Sequence, residues 1–219
     1  MTLTYTEYQA IAANICPNGQ AFIDGKFCDA ADGQKFETIN PATGQVLASV
    51  AHCKAVDVDR AVAAARRVFN AGTWSRAEPE LRKEVLLKVA ALVRKHTPEL
   101  AVLESLDTGK TINDCMDEIG GEVVNFFQWY AELADKSFGK IAPTGPSALA
   151  LIVKEPAGVA GAVLPWNFPL LMATWKIAPS LSVGCSAVIK PAEQTPLSTI
   201  RLAELMREAG VPDGVINIV

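Results

Sequence analysis

An α/β fold with a parallel, doubly wound sheet in the last third of the chain is what this 219-residue sequence predicts. The first observation is alternation: Val159–Leu164 reads as a strand, Leu171–Val183 as a helix, and Ser186–Lys190 as a strand. Ser198–Ala209 then reads as a helix stopped by Gly210, and Val215–Val219 as a third apolar strand, so two crossovers join three parallel strands. The second is Pro165-Trp166-Asn167-Phe168-Pro169, which cannot continue a ladder or a helix because each proline lacks an N–H and fixes φ. The third is composition: 50% hydrophobic, 20% charged and a net charge of −4 describe an ordinary globular chain.

Residues 1–19 are weakly patterned and hold at most a short helix. Ala21-Phe-Ile-Asp24-Gly25-Lys-Phe27 signals a hairpin, since Asp-Gly suits the positive φ angles of a type I′ turn. Phe36 to Val50 reads as two strands around a Pro41–Gly44 turn. Asp57 is expected to cap a helix running through Phe69 and closed at Ala71-Gly72. Ser75 and Glu78 fit a capping box before Pro79, with Leu81, Val85, Val89 and Leu92 on the apolar face of the next helix. Thr97-Pro98 opens another, which Gly109 closes, and Thr111 to Lys136 is helical with a weak point at Gly120-Gly121. Ser147 to Val153 is a β-prone run cut off by Pro156, expected as an arm seeking a partner strand and hence as a sign of oligomerisation. The domain reading is 1–139 for the early helices and strands, 140–157 for the arm and 158–219 for the strand–helix unit.

A mildly acidic balance with no Lys/Arg cluster argues against nucleic acid or an anionic membrane as partner. Ala157 to Trp175 is uncharged and mostly apolar, but Pro165, Asn167 and Pro169 at its middle argue against a membrane span. Cys16, Cys28, Cys53, Cys115 and Cys185 are scattered, without a CxxC, which fits a reducing cytoplasm rather than a disulfide framework or a metal site. No basic and apolar leader precedes Pro17, and no Gly-x-Gly-x-x-Gly fingerprint occurs.

Ligands of open α/β sheets bind outside the carboxyl ends of the strands, where the 165–169 loop lies. Asn167, held between prolines and aromatics in an apolar setting, is a pre-aimed amide donor suited to a developing oxyanion. The plainer alternative is an asparagine that satisfies its own loop backbone. Lys190 and Glu193 follow the second strand, where such a fold grips a ribose; alone they read as a solvated i, i+3 pair. Parallel strands need both faces covered, yet no helix follows Val219, so the chain reads as the first part of a longer protein.

Asn40-Pro-Ala-Thr-Gly44, Leu106-Asp-Thr-Gly-Lys110, Pro165-Trp-Asn-Phe-Pro169, Lys190-Pro-Ala-Glu-Gln-Thr-Pro196 and Glu208 to Val219 together resemble the NAD(P)-dependent aldehyde dehydrogenases. The N-terminal layout and Trp129-Tyr-Ala-Glu-Leu-Ala-Asp-Lys136 look most like the γ-glutamyl-γ-aminobutyraldehyde branch. The resemblance implies an aldehyde-dehydrogenase-like fold with a Rossmann-type sheet, truncated after its third strand. It implies oxidation of an aldehyde to a carboxylic acid with NAD. Asn167 matches the family's oxyanion donor. Leu164, Pro165 and Trp166 match the nicotinamide side of the cleft, and Lys190 and Glu193 the adenosine ribose. Glu193 favours NAD by repelling a 2′-phosphate, while Lys190 leaves NADP open.

Phe168, Met172 and Trp175 match the wall of a substrate tunnel, although core packing explains them equally well. Lys176 has a counterpart near the catalytic centre. Asp107, with carbonyls near Ile39 and Gln194, matches a monovalent-cation site, and is otherwise a helix C-terminal residue. Trp129, Asp114 and Asp117 hint at an amine-bearing aldehyde. The family's Gly-Gln-x-Cys-type nucleophile and its Glu-Leu-Gly-Gly-like base are not found in this sequence, and none of the five cysteines looks activated. Both are therefore expected outside these residues, leaving this chain inactive alone and the complete protein a homo-oligomer. A non-catalytic nucleotide-binding or interaction module is the alternative, and an acyl-transferring semialdehyde dehydrogenase a second one.

Overall fold

The structure is a computed structural model and describes residues 3–219. Helix α1, Tyr5–Asn14, is opened by a capping box between Thr4 and Glu7. Strands β1 (Ala21–Ile23) and β2 (Lys26–Cys28) form the expected hairpin, with Asp24 and Gly25 at φ 54° and 76°. β3 (Lys35–Ile39) and β4 (Val46–Ala51) make a separate antiparallel pair. Three helices follow: α2 (Ala55–Ala71), α3 (Pro79–Lys95) and α4 (Thr97–Thr108).

The predicted long helix is three pieces, α5 (Ile112–Asp117), a wider π-helical turn over Glu118–Val123 and α6 (Val124–Leu133). The π turn contains Gly120 and Gly121, the foreseen weak point. β5 (Lys140–Ala142) and β6 (Ala150–Ile152) pair only with each other and leave Ile141, Leu151 and Ile152 exposed. The alternating unit then comprises β7 (Val159–Val163), α7 (Pro169–Ser182), β8 (Ser186–Lys190), α8 (Leu197–Ala209) and β9 (Ile216–Ile218).

The main sheet has five strands in the order β2-β1-β9-β8-β7, with β7, β8 and β9 parallel. Strand alternation divides β8: Ala187 and Ile189 join the main core with Ile177 and Leu181 of α7 and Leu202 and Met206 of α8. Val188 faces the other way, against Ala61 and Ala65 of α2. Both crossover helices therefore lie on one face, as two right-handed crossovers running in the same direction require, and an earlier helix covers the other.

Several expectations need correction. β9 is enclosed although no helix follows it: β1 pairs along its edge through Phe22 opposite Ile218, and Ile216, Asn217 and Ile218 are all buried. Asn217 ties this junction together, accepting from Asp24 N–H at 2.9 Å and donating to Gly214 O at 2.9 Å. β7 is not a buried strand; pairing on one side only, it leaves Val163 77% exposed. Asp57 sits inside the first turn of α2, where its carboxylate accepts from Lys54 N–H and Ala31 N–H. Ser75 is no cap; its hydroxyl donates to Phe69 O. The buried stripe of α3 runs Arg82, Val85, Leu86, Val89, Ala90 and Val93, leaving Leu81 48% exposed. No helix among the described residues is long and apolar enough to cross a membrane.

Candidate functional site

Val163 and Lys190 lie opposite each other at the carboxyl ends of β7 and β8, so the loops that follow leave the sheet at the same edge. There they bond to one another: Leu164 N–H donates to Lys190 O at 2.9 Å, and Thr195 Oγ1 donates to Trp166 O at 3.3 Å. The structure thus unites Leu164, Pro165, Trp166 and Asn167 with Lys190 and Glu193, two stretches read separately in the sequence. Proline rigidity and these cross-loop bonds leave the segment few conformations.

Asn167 is exposed, and its side-chain amide makes no hydrogen bond with any described residue. The apolar enclosure expected around it is not built by this chain, because Pro165, Trp166 and Phe168 are exposed too. Of residues 164–168 only Leu164 is buried, under the bond to β8.

Lys190 Nζ donates to Glu193 Oε1 at 2.7 Å and to Pro191 O at 3.0 Å. The Lys190 ammonium holds the Glu193 carboxyl below the usual carboxylate range. Both side chains are accessible, and together they present one donor and one anionic acceptor, the pairing a vicinal diol requires. A cleft of about 140 Å³ opens beside them, lined mainly by apolar side chains including Phe36, Val50 and Val219. That is well short of the ~300 Å³ or more of small-molecule sites.

Phe168 receives Lys110 Nζ at 4.3 Å from its ring centroid. Met172 is half-buried, and Trp175 is partly exposed and stacked on Phe126 at 5.2 Å. Phe126 stacks in turn on Tyr130, so α6 places two aromatics beside Trp175. Their signal in the sequence was the four-residue spacing, which puts both on one helix face. The Lys176 side chain is exposed beside Trp175.

Sequence reasoning missed Glu104. It is completely buried, and its Oε2 accepts from Leu170 N–H at the start of α7 (3.2 Å) and from Ser198 Oγ at the start of α8 (2.9 Å). Asp107, one turn on, accepts from Thr38 Oγ1 at 2.7 Å and from Leu197 N–H at 3.0 Å. Two carboxylates three apart on one helix thus cap the two crossover helices, favourable against their N-terminal dipoles. This accounts for the burial of Asp107 without a cation. The readable signal was the i, i+3 spacing of Glu104 and Asp107 just after the apolar run Leu100–Leu103.

Burial pushes the Asp107 carboxyl up to about 6, against the pull of Thr38 and Leu197. Burial and then the Glu118 charge push Glu104 up to about 7. In the folded state both hold protons that the unfolded chain releases near ~4. Unfolding free energy should therefore fall as pH rises from about 4 to about 7, on the order of 3 kcal/mol from Asp107. Urea unfolding across that range checks this, and Asp107→Asn should flatten the slope; an identical slope in the variant refutes it.

All five cysteines are free. His52 directly precedes Cys53, a juxtaposition the sequence reading overlooked. It does not create a nucleophile, because burial and then the Asp57 charge push the Cys53 thiol up to about 11. Burial and then the Glu104 charge raise Cys115 to about 12. No group of His, Cys, Asp and Glu among the described residues could hold a metal ion.

Parallel strands joined by crossover helices, with site loops meeting at their carboxyl edge, define a Rossmann-type unit. The chain belongs to the aldehyde dehydrogenase family, whose description matches residues 27–219. It is 52% identical over 217 residues to the aminoacetaldehyde dehydrogenase of Pseudomonas aeruginosa, covering 99% of this chain and 44% of that protein. The solved γ-glutamyl-γ-aminobutyraldehyde dehydrogenase of Burkholderia cenocepacia superposes with a TM-score of 0.97 at 48% identity, over 99% of this chain and 44% of that one. An indole-3-acetaldehyde dehydrogenase complexed with NAD+ gives 0.97 at 44% identity, over 100% and 44%. The chain therefore spans less than half the length of these relatives.

Proposed function

We propose that these residues form the cofactor-binding N-terminal part of an NAD-dependent dehydrogenase that oxidises an amine-bearing aldehyde to its carboxylic acid. The observation that carries this reading is the bonding of the Asn167 loop to the Lys190–Glu193 loop at one sheet edge. The Glu193 carboxylate would accept from ribose hydroxyls while Lys190 donates, and Leu164, Pro165 and Trp166 would support the nicotinamide end. NAD, when bound, supplies the hydride acceptor. Asn167 would donate its amide N–H to the oxygen that gains charge as a nucleophile adds to the carbonyl carbon. Phe168, Met172 and Trp175, with Phe126 and Tyr130, would wall the aldehyde path. Exposed Glu122, four residues before Phe126, joins Asp114 and Asp117 in favouring a cationic substrate.

The nucleophilic cysteine and general-base glutamate are assigned outside these residues, since neither motif occurs here and the Cys53 and Cys115 thiols stay protonated. Residues 1–139 and 158–219 would make the cofactor domain. The 140–157 hairpin, with Ile141, Leu151 and Ile152 exposed, would be the homo-oligomerisation arm. Free cysteines throughout favour the cytoplasm.

The test is the native protein from its source, assayed for aldehyde-dependent reduction of NAD and weighed intact. A species well above the 23.3 kDa of this chain that reduces NAD is expected. A species of 23.3 kDa that binds nucleotide without oxidising aldehyde would favour the non-catalytic module instead. In the active protein, Glu193→Gln should narrow the preference for NAD over NADP about tenfold, ~1.4 kcal/mol. An unmoved ratio would remove Glu193 from the ribose.

A further inference from the structure

We propose that Glu104, from the buried side of the 165–169 loop, is a positioning residue that sets the direction of the Asn167 amide. The inference rests on Asn167 being the oxyanion donor. Bonds to the neighbouring loop hold the 165–169 loop at Leu164 and Trp166, and the residues after Asn167 are held from beneath. Three residues after Asn167, Leu170 N–H ends on Glu104 Oε2, and the same oxygen takes Ser198 Oγ. One atom thus ties the start of α7 to the start of α8, beneath the direct bonds that join the Asn167 loop to the Lys190–Glu193 loop. The residue next to Asn167 is gripped as well, by Lys110 over the Phe168 ring.

Lys110 in turn bonds Glu118 Oε2 at 2.6 Å and lies 3.6 Å from Glu104 Oε1. Burial alone would lower the Lys110 ammonium, but Glu118 and Glu104 hold it above its ordinary value. Glu104 Oε1 and Glu118 Oε1 are buried without a hydrogen-bond partner among the described residues. Burying two carboxyl groups beside an ammonium is costly, and a serine could cap Leu170 without that cost. A rigid hydrogen-bonded brace under the loop offsets it, since a 1 Å misplacement of a catalytic group can cost ~10²-fold in rate.

The experiment is a double-mutant cycle in the complete, active protein. Glu104→Ala should lower kcat by about 10²-fold and Glu104→Gln by about 10-fold, with the NAD dissociation constant changed by less than about 2-fold. In the Asn167→Ala background, Glu104→Ala or Glu104→Gln should cost less than about 2-fold, because the donor it aims is gone. Amide exchange at Leu170 and Met172 should quicken at least ~10-fold in Glu104→Ala, while exchange at β8 stays unchanged. If Glu104→Ala does not fold, the Gln variant completes the cycle. An equal loss of kcat with and without Asn167, or no loss at all, overturns the positioning role and leaves the proposed function intact. If Asn167→Ala itself is harmless, both the inference and the oxyanion reading fail.

Discussion

Asn167→Ala in the complete protein should lower kcat by ~10²–10³-fold, the usual loss when one oxyanion donor is removed, about 2.7–4 kcal/mol. NAD affinity should stay within about 2-fold, because Lys190 and Glu193 keep their own geometry. The amide is exposed and unbonded among the described residues, so its removal breaks no hydrogen bond there and folding should be untouched. Unfolding curves superimposable on those of the wild type would separate chemistry from stability. Steady-state kinetics with saturating cofactor makes the measurement, and an unchanged kcat would remove Asn167 from the mechanism. Asn167→Asp is the sharper control. It keeps the size but presents a carboxylate to the developing oxyanion, so it should be at least as damaging as alanine.

How legible the fold was depended on how local its causes are. The Asp24-Gly25 turn, the Thr97-Pro98 helix start and the glycine stops at Gly72, Gly109 and Gly210 follow from backbone sterics and appear where they were read. The three parallel strands were legible as apolar runs, and β8 and β9 are buried as such runs imply, whereas β7 at the sheet edge is not. The stripe on α3 was not. Leu81, Val85, Val89 and Leu92 satisfy helical spacing nearly as well as Val85, Leu86, Val89 and Val93, and the helices packed around α3 decide which stripe is buried. The pairing of Phe22 with Ile218 joins the two ends of the described chain, and no local propensity encodes it.

The site divided in the same way. Asn167, Lys190 and Glu193 were readable because they sit in short loops after apolar runs, where polar side chains stand out. Glu104 was not, because a glutamate on a helix reads as solvated. Its importance lies in the two helix N-termini brought over it, a tertiary fact. Its burial suggests a rule: in-register acids on an apolar helix beside a proline-bounded loop merit the same scrutiny as the loop itself.

Trp74→Ala should be the most destabilising of the structural substitutions, at roughly 3–5 kcal/mol of unfolding free energy. Trp74 is 1% exposed, and its Nε1 donates to Leu181 O at 2.9 Å in the last turn of α7. Arg82 Nε satisfies the next carbonyl, Ser182 O, at 3.1 Å, so α7 is pinned at its far end as Glu104 pins its start. Trp74→Phe retains most of the packing but strands the Leu181 carbonyl, and should cost about 1–3 kcal/mol. Urea midpoints with unchanged m-values test both, and a cost below about 1 kcal/mol for the alanine variant would contradict the assignment. The two ends of α7 can then be separated. Trp74→Phe should quicken amide exchange in the last turn and leave Leu170 protected, because the acceptor of Leu170 lies on α4. If Leu170 exchange quickens as well, the helix moves as one rod, and the Asn167 loop is held from both ends rather than from Glu104 alone.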